Sequence, residues 1–215
     1  IRGTGATFTG NGFVLTKVGT NQFSLVSVAT ATLGNIVVNG GIFNIELTTV
    51  IGVGGTITLN NASTLAFYSS ALCSRPVIVN GNATIQCIGG SGTNSTSSPI
   101  TINGGILTCS SAGATLTLSG AIDGTGSLTK IGGSPLILVG ANSYSGTTTV
   151  SAGILRNGGV DVIPDVSALT VATGATYDLN SFAETVGSLA GAGAITLGSA
   201  TLATGGDNTS TTHSG

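Results

Sequence analysis

Ile100-Thr-Ile-Asn-Gly-Gly-Ile106 decides the fold, because the same form occurs at Ile36-Val-Val-Asn-Gly-Gly-Ile42, Ile57-Thr-Leu-Asn-Asn-Ala-Ser63 and Val77-Ile-Val-Asn-Gly-Asn-Ala83. Each copy reads apolar, any, apolar, Asn, then a small-residue corner. The copies begin roughly 20 residues apart, the period of a solenoid that adds one rung per repeat. Later segments, Leu116-Thr-Leu-Ser-Gly120, Leu169-Thr-Val-Ala-Thr-Gly174 and Ile195-Thr-Leu-Gly-Ser199, keep the apolar alternation and lose the Asn. Apolar residues at every second position mark strands with one face in a core and one face in water.

Turn signals alone would also suit an antiparallel sandwich, whose corners recur about every 8 to 12 residues. Here the similarity returns once per rung and in the same chain direction, which predicts an all-β, right-handed parallel β-helix of about nine to ten rungs. At a strand spacing of about 4.8 Å that is a rod of roughly 45 to 50 Å. Inward residues of successive rungs then stack as ladders of Ile, Val and Leu. One solenoid is expected over 1–215, with the strongest repeat at 122–155 and looser, spacer-like rungs over 156–215.

Asn39, Asn60, Asn80 and Asn103 occupy the same place in their rungs. Two readings stand: an inward-turned Asn ladder bonding along the tube, or four residues that tolerate the left-handed turn before Gly. Both are structural.

Composition restricts the chemistry. Only 6% of the 215 residues are charged and 4% are aromatic, while glycine numbers 36; a charged fraction of about 25% is usual. The five Lys and Arg residues lie far apart and the formal net charge is −2, so no nucleic-acid partner is expected. Mean hydropathy is +0.51, yet no apolar run approaches the roughly 20 residues of a spanning helix, and no membrane insertion by this segment is expected. No secretory leader is visible at Ile1-Arg-Gly-Thr-Gly5, so the chain reads as a processed or excised segment.

No catalytic, metal or cofactor site emerges. A nucleophile needs a base held beside it, and the single His, His213, sits in a polar terminal stretch. The carboxylates Glu46, Asp123, Asp161, Asp165, Asp178, Glu184 and Asp207 do not recur at rung spacing, and only Asp161 and Asp165 form a local pair, read as a solvated loop break. Aligning Ile85-Gln-Cys87 with Leu107-Thr-Cys109 puts Cys87 and Cys109 one rung apart, close enough for a disulfide, with free thiols as the alternative; Cys73 is out of register. Asn61, Asn82, Asn94 and Asn208 begin Asn-x-Ser/Thr sequons, from which no function is read.

The stretch 124–155, GTGSLTKIGGSPLILVGANSYSGTTTVSAGIL, resembles the passenger-associated transport repeat, also called the autotransporter-associated β-strand repeat. The resemblance rests on Gly124, Gly126, Leu128, Lys130, Gly132, Leu136, Leu138, Gly140, Ala141, Asn142, Tyr144, Gly146, Val150, Gly153 and Leu155. A looser copy begins at Gly10-Asn-Gly-Phe-Val-Leu-Thr-Lys-Val-Gly19, and 186–215 is similar to the family's spacer. Pro135 departs from the pattern, and 20–100 follows only its strand-turn rhythm.

The resemblance implies a β-helical stalk on a large exported bacterial protein, at the cell surface or outside the cell, whose repeats help drive export by folding outside. It implies no enzyme and no cofactor. Three functions follow in order: a structural stalk or fibre, an adhesin segment that binds glycans or cell surfaces, and a polysaccharide-active enzyme. Copies of the chain or neighbouring repeats stacked end to end are the expected partners. Ser214-Gly215 leads, one residue short, into Ile1-Arg-Gly-Thr-Gly5, much as Ser119-Gly120-Ala121 leads into Ile122-Asp-Gly-Thr-Gly126. Either head-to-tail stacking, which generates open filaments, or a segment of one long chain accounts for that.

Overall fold

The structure, a computed structural model, describes residues 1–31, 33–51, 54–69, 71–90 and 92–215. They form strands that pair in parallel throughout and coil into a β-solenoid of about 9 turns, with no helix among them. The short strands fall on three faces. The first face carries Gly41–Glu46, Ser63–Tyr68, Ala83–Cys87, Ile106–Ser111, Ser127–Ile131, Thr148–Val150, Ala168–Val171 and Ser188–Gly191 in register. The second carries Leu72–Cys73, Asn94–Thr96, Leu116–Leu118, Leu136–Leu138, Ile154–Asn157, Thr176–Asp178 and Ala194–Thr196. The third begins with Leu15–Lys17, Ile36–Val38, Ile57–Leu59, Val77–Val79, Ile100–Ile102 and Ile122–Gly124.

Alternation dictates which side chains meet inside. Ile36, Ile57, Val77, Ile100 and Ile122 form one inward column on the third face, and Leu116, Leu136, Leu155 and Tyr177 form another on the second; all are buried. Burying each aliphatic side chain contributes about 1.5–3 kcal/mol, and every turn adds several. Bulky residues occur sparingly in the bore: Phe23 stacks on Phe43 with ring centroids 6.0 Å apart, and Tyr144 and Tyr177 are fully buried further along.

Corners are tight because backbone passes directly over backbone. Gly105 lies in the left-handed region at φ 73, and a Cβ there would sit 2.4 Å from the carbonyl carbon of Gly81 one turn away. The glycine-rich composition follows from this vertical contact as much as from turn geometry.

Third-face pairing lapses for two turns. Between Ile122–Gly124 and the pair Glu184–Val186 with Leu202–Thr204, the residues near 142 and 162 form no strand. Side chains there supplement scattered backbone bonds, from Ser143 N to Ile122 O and from Asp161 N to Ala183 O.

Candidate functional surface and the ladders that hold it

A corner column of amides runs along the outside of the tube. Asn60 Nδ2 donates to Asn39 Oδ1 at 2.6 Å, Asn80 to Asn60 at 3.0 Å and Asn103 to Asn80 at 3.1 Å, linking residues 21, 20 and 23 apart in sequence. Their backbone N–H groups still donate to the previous turn at Lys17, Val38, Leu59 and Val79. The column faces outward rather than into the bore: Asn39, Asn80 and Asn103 are exposed and Asn60 is half-buried. Each Asn follows an inward Val, Leu or Ile, so alternation turns it to solvent.

A second outward column stands on the first face, where Thr64, Thr84, Thr108, Thr129, Thr149 and Thr170 succeed one another over six turns. No charged residue stands in it. The second face ends in the single ion pair among the described residues, Arg156 Nε to Asp178 Oδ2 at 2.8 Å, with Thr196 donating to Asp178 Oδ1 at 3.0 Å. Against the opposing effect of burial, the Asn180 backbone N–H, which donates to Oδ1 at 2.9 Å, and then the Arg156 and Thr196 bonds hold the Asp178 carboxyl below its usual range.

Inside, two lysines do unexpected work. Lys130 Nζ donates to the carbonyls of Ile131, Gly132 and Ala152 at 2.8, 2.6 and 3.1 Å. Lys17 Nζ does the same to Val18, Gly19 and Gly40 at 2.8, 2.7 and 2.9 Å. Leu-Thr-Lys-Val-Gly and Leu-Thr-Lys-Ile-Gly are thus one local device, a lysine that ties its own corner to the next turn. Lys17 belongs to the third face and Lys130 to the first. Burial pushes Lys130 down to about 8, against the pull of the neighbouring Cys109.

Asn142 bridges the first of the two unpaired turns. Its Oδ1 accepts from Ile122 N at 2.7 Å and its Nδ2 donates to Val162 O, so one amide side chain replaces a strand residue between neighbours 20 positions away on either side. Glu184 bridges the next: Oε2 accepts from Val162 N at 3.0 Å and from Asn157 Nδ2 at 2.6 Å, and Oε1 from Ile163 N at 3.0 Å. A hydroxyl chain packs beside them. Tyr144 and Thr148 bond at 2.7 Å, Thr148 and Ser167 at 3.0 Å, and Ser167 donates to Gly146 O at 2.9 Å.

Cys73, Cys87 and Cys109 are buried free thiols. The register places Cys109 opposite Ile85 and Cys87 opposite Ser111, two positions from the expected alignment. A slip of two preserves the inward face, so alternation could not detect it, and it sets the two Cα atoms roughly 8 Å apart, beyond a disulfide's reach. Burial pushes the Cys87 and Cys109 thiols up to about 12.

Asp161 and Asp165 lie exposed in the loop of the second unpaired turn, and His213 meets Gly191 in an isolated bridge on the first face. Among the described residues no three His, Cys, Asp or Glu side chains gather to hold a metal, and no pocket opens.

Residues 128–156, which contain Lys130, Asn142 and Tyr144, match the model of the passenger-associated transport repeat. The chain carries this repeat. It is also similar to the adhesin BmaC autotransporter of Brucella suis biovar 1 (strain 1330), with 35% identity over 178 residues, 78% of this chain. The aligned part is 5% of that adhesin's length. No solved structure matches the chain.

Asn142 was legible as a repeat residue but its role was not. Glu184 gave no sequence signal: it is one scattered carboxylate, and only the lapse in third-face pairing gives it a task.

Proposed function

We propose that this chain is a stretch of the passenger of an exported bacterial protein and serves outside the cell as a β-solenoid stalk. The observation that carries this reading is the one-directional stacking of about 9 turns, joined along their faces by parallel strand pairing and, at some turns, by corner amides and interior lysines. In such a solenoid every turn contacts only its neighbours, so length is set by the number of turns. The transport repeat at 128–156 supports export, and the sequence relation to an autotransporter adhesin supports placement at the cell surface. The reading has no catalytic step.

A second reading, an adhesive segment, is favoured by the relative's being an adhesin and by the uncharged threonine column on the first face. The two are separated by removing two register-matched turns, 77–121, from the full protein that carries the chain, since Val77, Ile100 and Ile122 are successive partners. A stalk keeps surface display and adhesion while shortening by about 10 Å. Adhesion lost with display intact would replace the stalk reading by the adhesive one.

A further inference from the structure

Glu184 is only 2% exposed, and its side chain neighbours Asn157 and Tyr177, both fully buried. No cation reaches it; the ion pair of Arg156 with Asp178 belongs to the outer surface. Two backbone N–H groups and one amide are its donors. Beside it, Asn157 Oδ1 and the Tyr177 hydroxyl are buried with no hydrogen-bond partner. This is an uncommon arrangement, because a buried charge without a counter-charge is costly and a buried acceptor without a donor is too.

Both costs fall if the carboxyl takes up a proton. A neutral Glu184 can donate its O–H to Asn157 Oδ1 once that amide has turned over, which gives up the Nδ2 bond to Glu184 and turns Nδ2 toward the unpartnered Tyr177 hydroxyl oxygen, while the carboxyl oxygens still accept from Val162 and Ile163. One proton comes from solvent, the charge goes from −1 to zero, and no covalent bond to carbon changes. The titratable groups facing Glu184 from the elements packed on it are Tyr177 and Tyr144, and both are held neutral by burial. Asp161, in the loop that Glu184 ties down, is exposed.

We propose that Glu184 is a proton-operated latch, whose protonation tightens the joint between the turn containing Val162 and Ile163 and the turn that follows. The position matters because third-face strand pairing is absent on that turn, where the carboxyl adds two bonds, from Val162 N and Ile163 N, to the single backbone bond from Asp161 N to Ala183 O. Burial raises the Glu184 carboxyl above its ordinary 4.5, with the Ile163 and Val162 N–H groups, the Asn157 amide and the nearby Tyr177 hydroxyl opposing. The sign follows. Below 4.5 the group is neutral in folded and unfolded chains alike; as pH rises through the folded value the fold must carry a buried charge, and stability is lost. The latch is therefore firm in acid and looser near neutrality, whichever surface role the solenoid has.

The test is hydrogen exchange in the 215-residue chain, corrected for intrinsic rates, at about pH 4 and about pH 7, for wild type and Glu184→Gln. Protection of the Val162 and Ile163 amides should fall with rising pH in wild type, by at most about tenfold per pH unit within the window. It should stay level in E184Q, and the amides of Ile100 and Ile102 should not change in either. Because E184Q could fold poorly, the carboxyl-carbon NMR shift of Glu184 in wild type is followed as well, with a midpoint expected above 4.5. A midpoint at or below that value, protection that rises with pH, or the same fall in E184Q overturns the latch.

Discussion

Replacing Asn142 by Ala is the sharpest test of side chains standing in for a strand. The substitution removes the acceptor for Ile122 N and the donor for Val162 O in one step. Ile122 and Val162 are both fully buried, so water reaches the orphaned backbone groups poorly. Each unsatisfied buried group costs about 1–3 kcal/mol; Asn142 itself is half-buried, which places the expected total near the lower end, about 2–4 kcal/mol. Asn142→Asp is the informative isostere: one oxygen still accepts from Ile122, but the other meets the Val162 carbonyl, so it should be no better than Ala. Asn103→Ala removes a bond of similar length on an exposed corner, and should cost under about 1 kcal/mol. Urea unfolding followed by far-UV circular dichroism reads the stabilities, and hydrogen exchange at Ile122 reads the local effect. A cost for Asn142→Ala no larger than for Asn103→Ala would refute the bridging role.

Ile102→Asp should unfold the middle turns, because Ile102 is fully buried and no cation is placed to meet the new charge; unchanged thermal melting would exclude its inward position. Lys130→Met should destabilise by about 3 kcal/mol through three carbonyls left without a donor. With the folded lysine at about 8 and the unfolded one at 10.5, the unfolded chain binds more protons between those values. The stability difference between wild type and K130M should therefore grow from about pH 8 to about pH 9.5, and a flat difference would deny the buried amine its low value. All three cysteines should resist a thiol reagent in the native chain at neutral pH and react together on unfolding; an unreactive pair in the unfolded, unreduced chain would indicate a disulfide.

The periodic part of the fold was readable because it repeats. Ile36, Ile57, Val77 and Ile100 recur with the same flanks, so the third face, its direction and its inward residues follow from spacing alone. Asn39, Asn60, Asn80 and Asn103 were readable as a set, but a ladder turned into the bore has the wrong orientation, because the four stand on the outside of the tube. Strand parity decides it, since each follows an inward residue. Register is harder. Cys87 and Cys109 share an inward face in either of two alignments two residues apart, and only the stacking of corners, Gly105 over Gly81, fixes the true one.

Least visible were the ties made by isolated side chains. Lys17 and Lys130 share a five-residue phrase, yet nothing in that phrase announces three carbonyl acceptors. Asn142 and Glu184 act where the repeat fails, and a failure of periodicity leaves no pattern to read. Arg75 is of the same kind: it is buried and its guanidinium reaches the carbonyls of Leu33 and Gly34, 42 and 41 residues away, across two turns.

One measurement tests the stacked-turn architecture most directly: distances between nitroxide spin labels on the outward threonine column. The native thiols are buried and weakly ionised, so cysteines introduced at Thr64 with Thr149, and at Thr64 with Thr170, can be labelled selectively. Thr149 lies four turns from Thr64 and Thr170 five, through the successive partners Thr84, Thr108 and Thr129. Stacked parallel turns give mean separations near 19 and 24 Å, rising by one strand spacing of about 4.8 Å per turn. Separations that do not increase from the first pair to the second would contradict the solenoid.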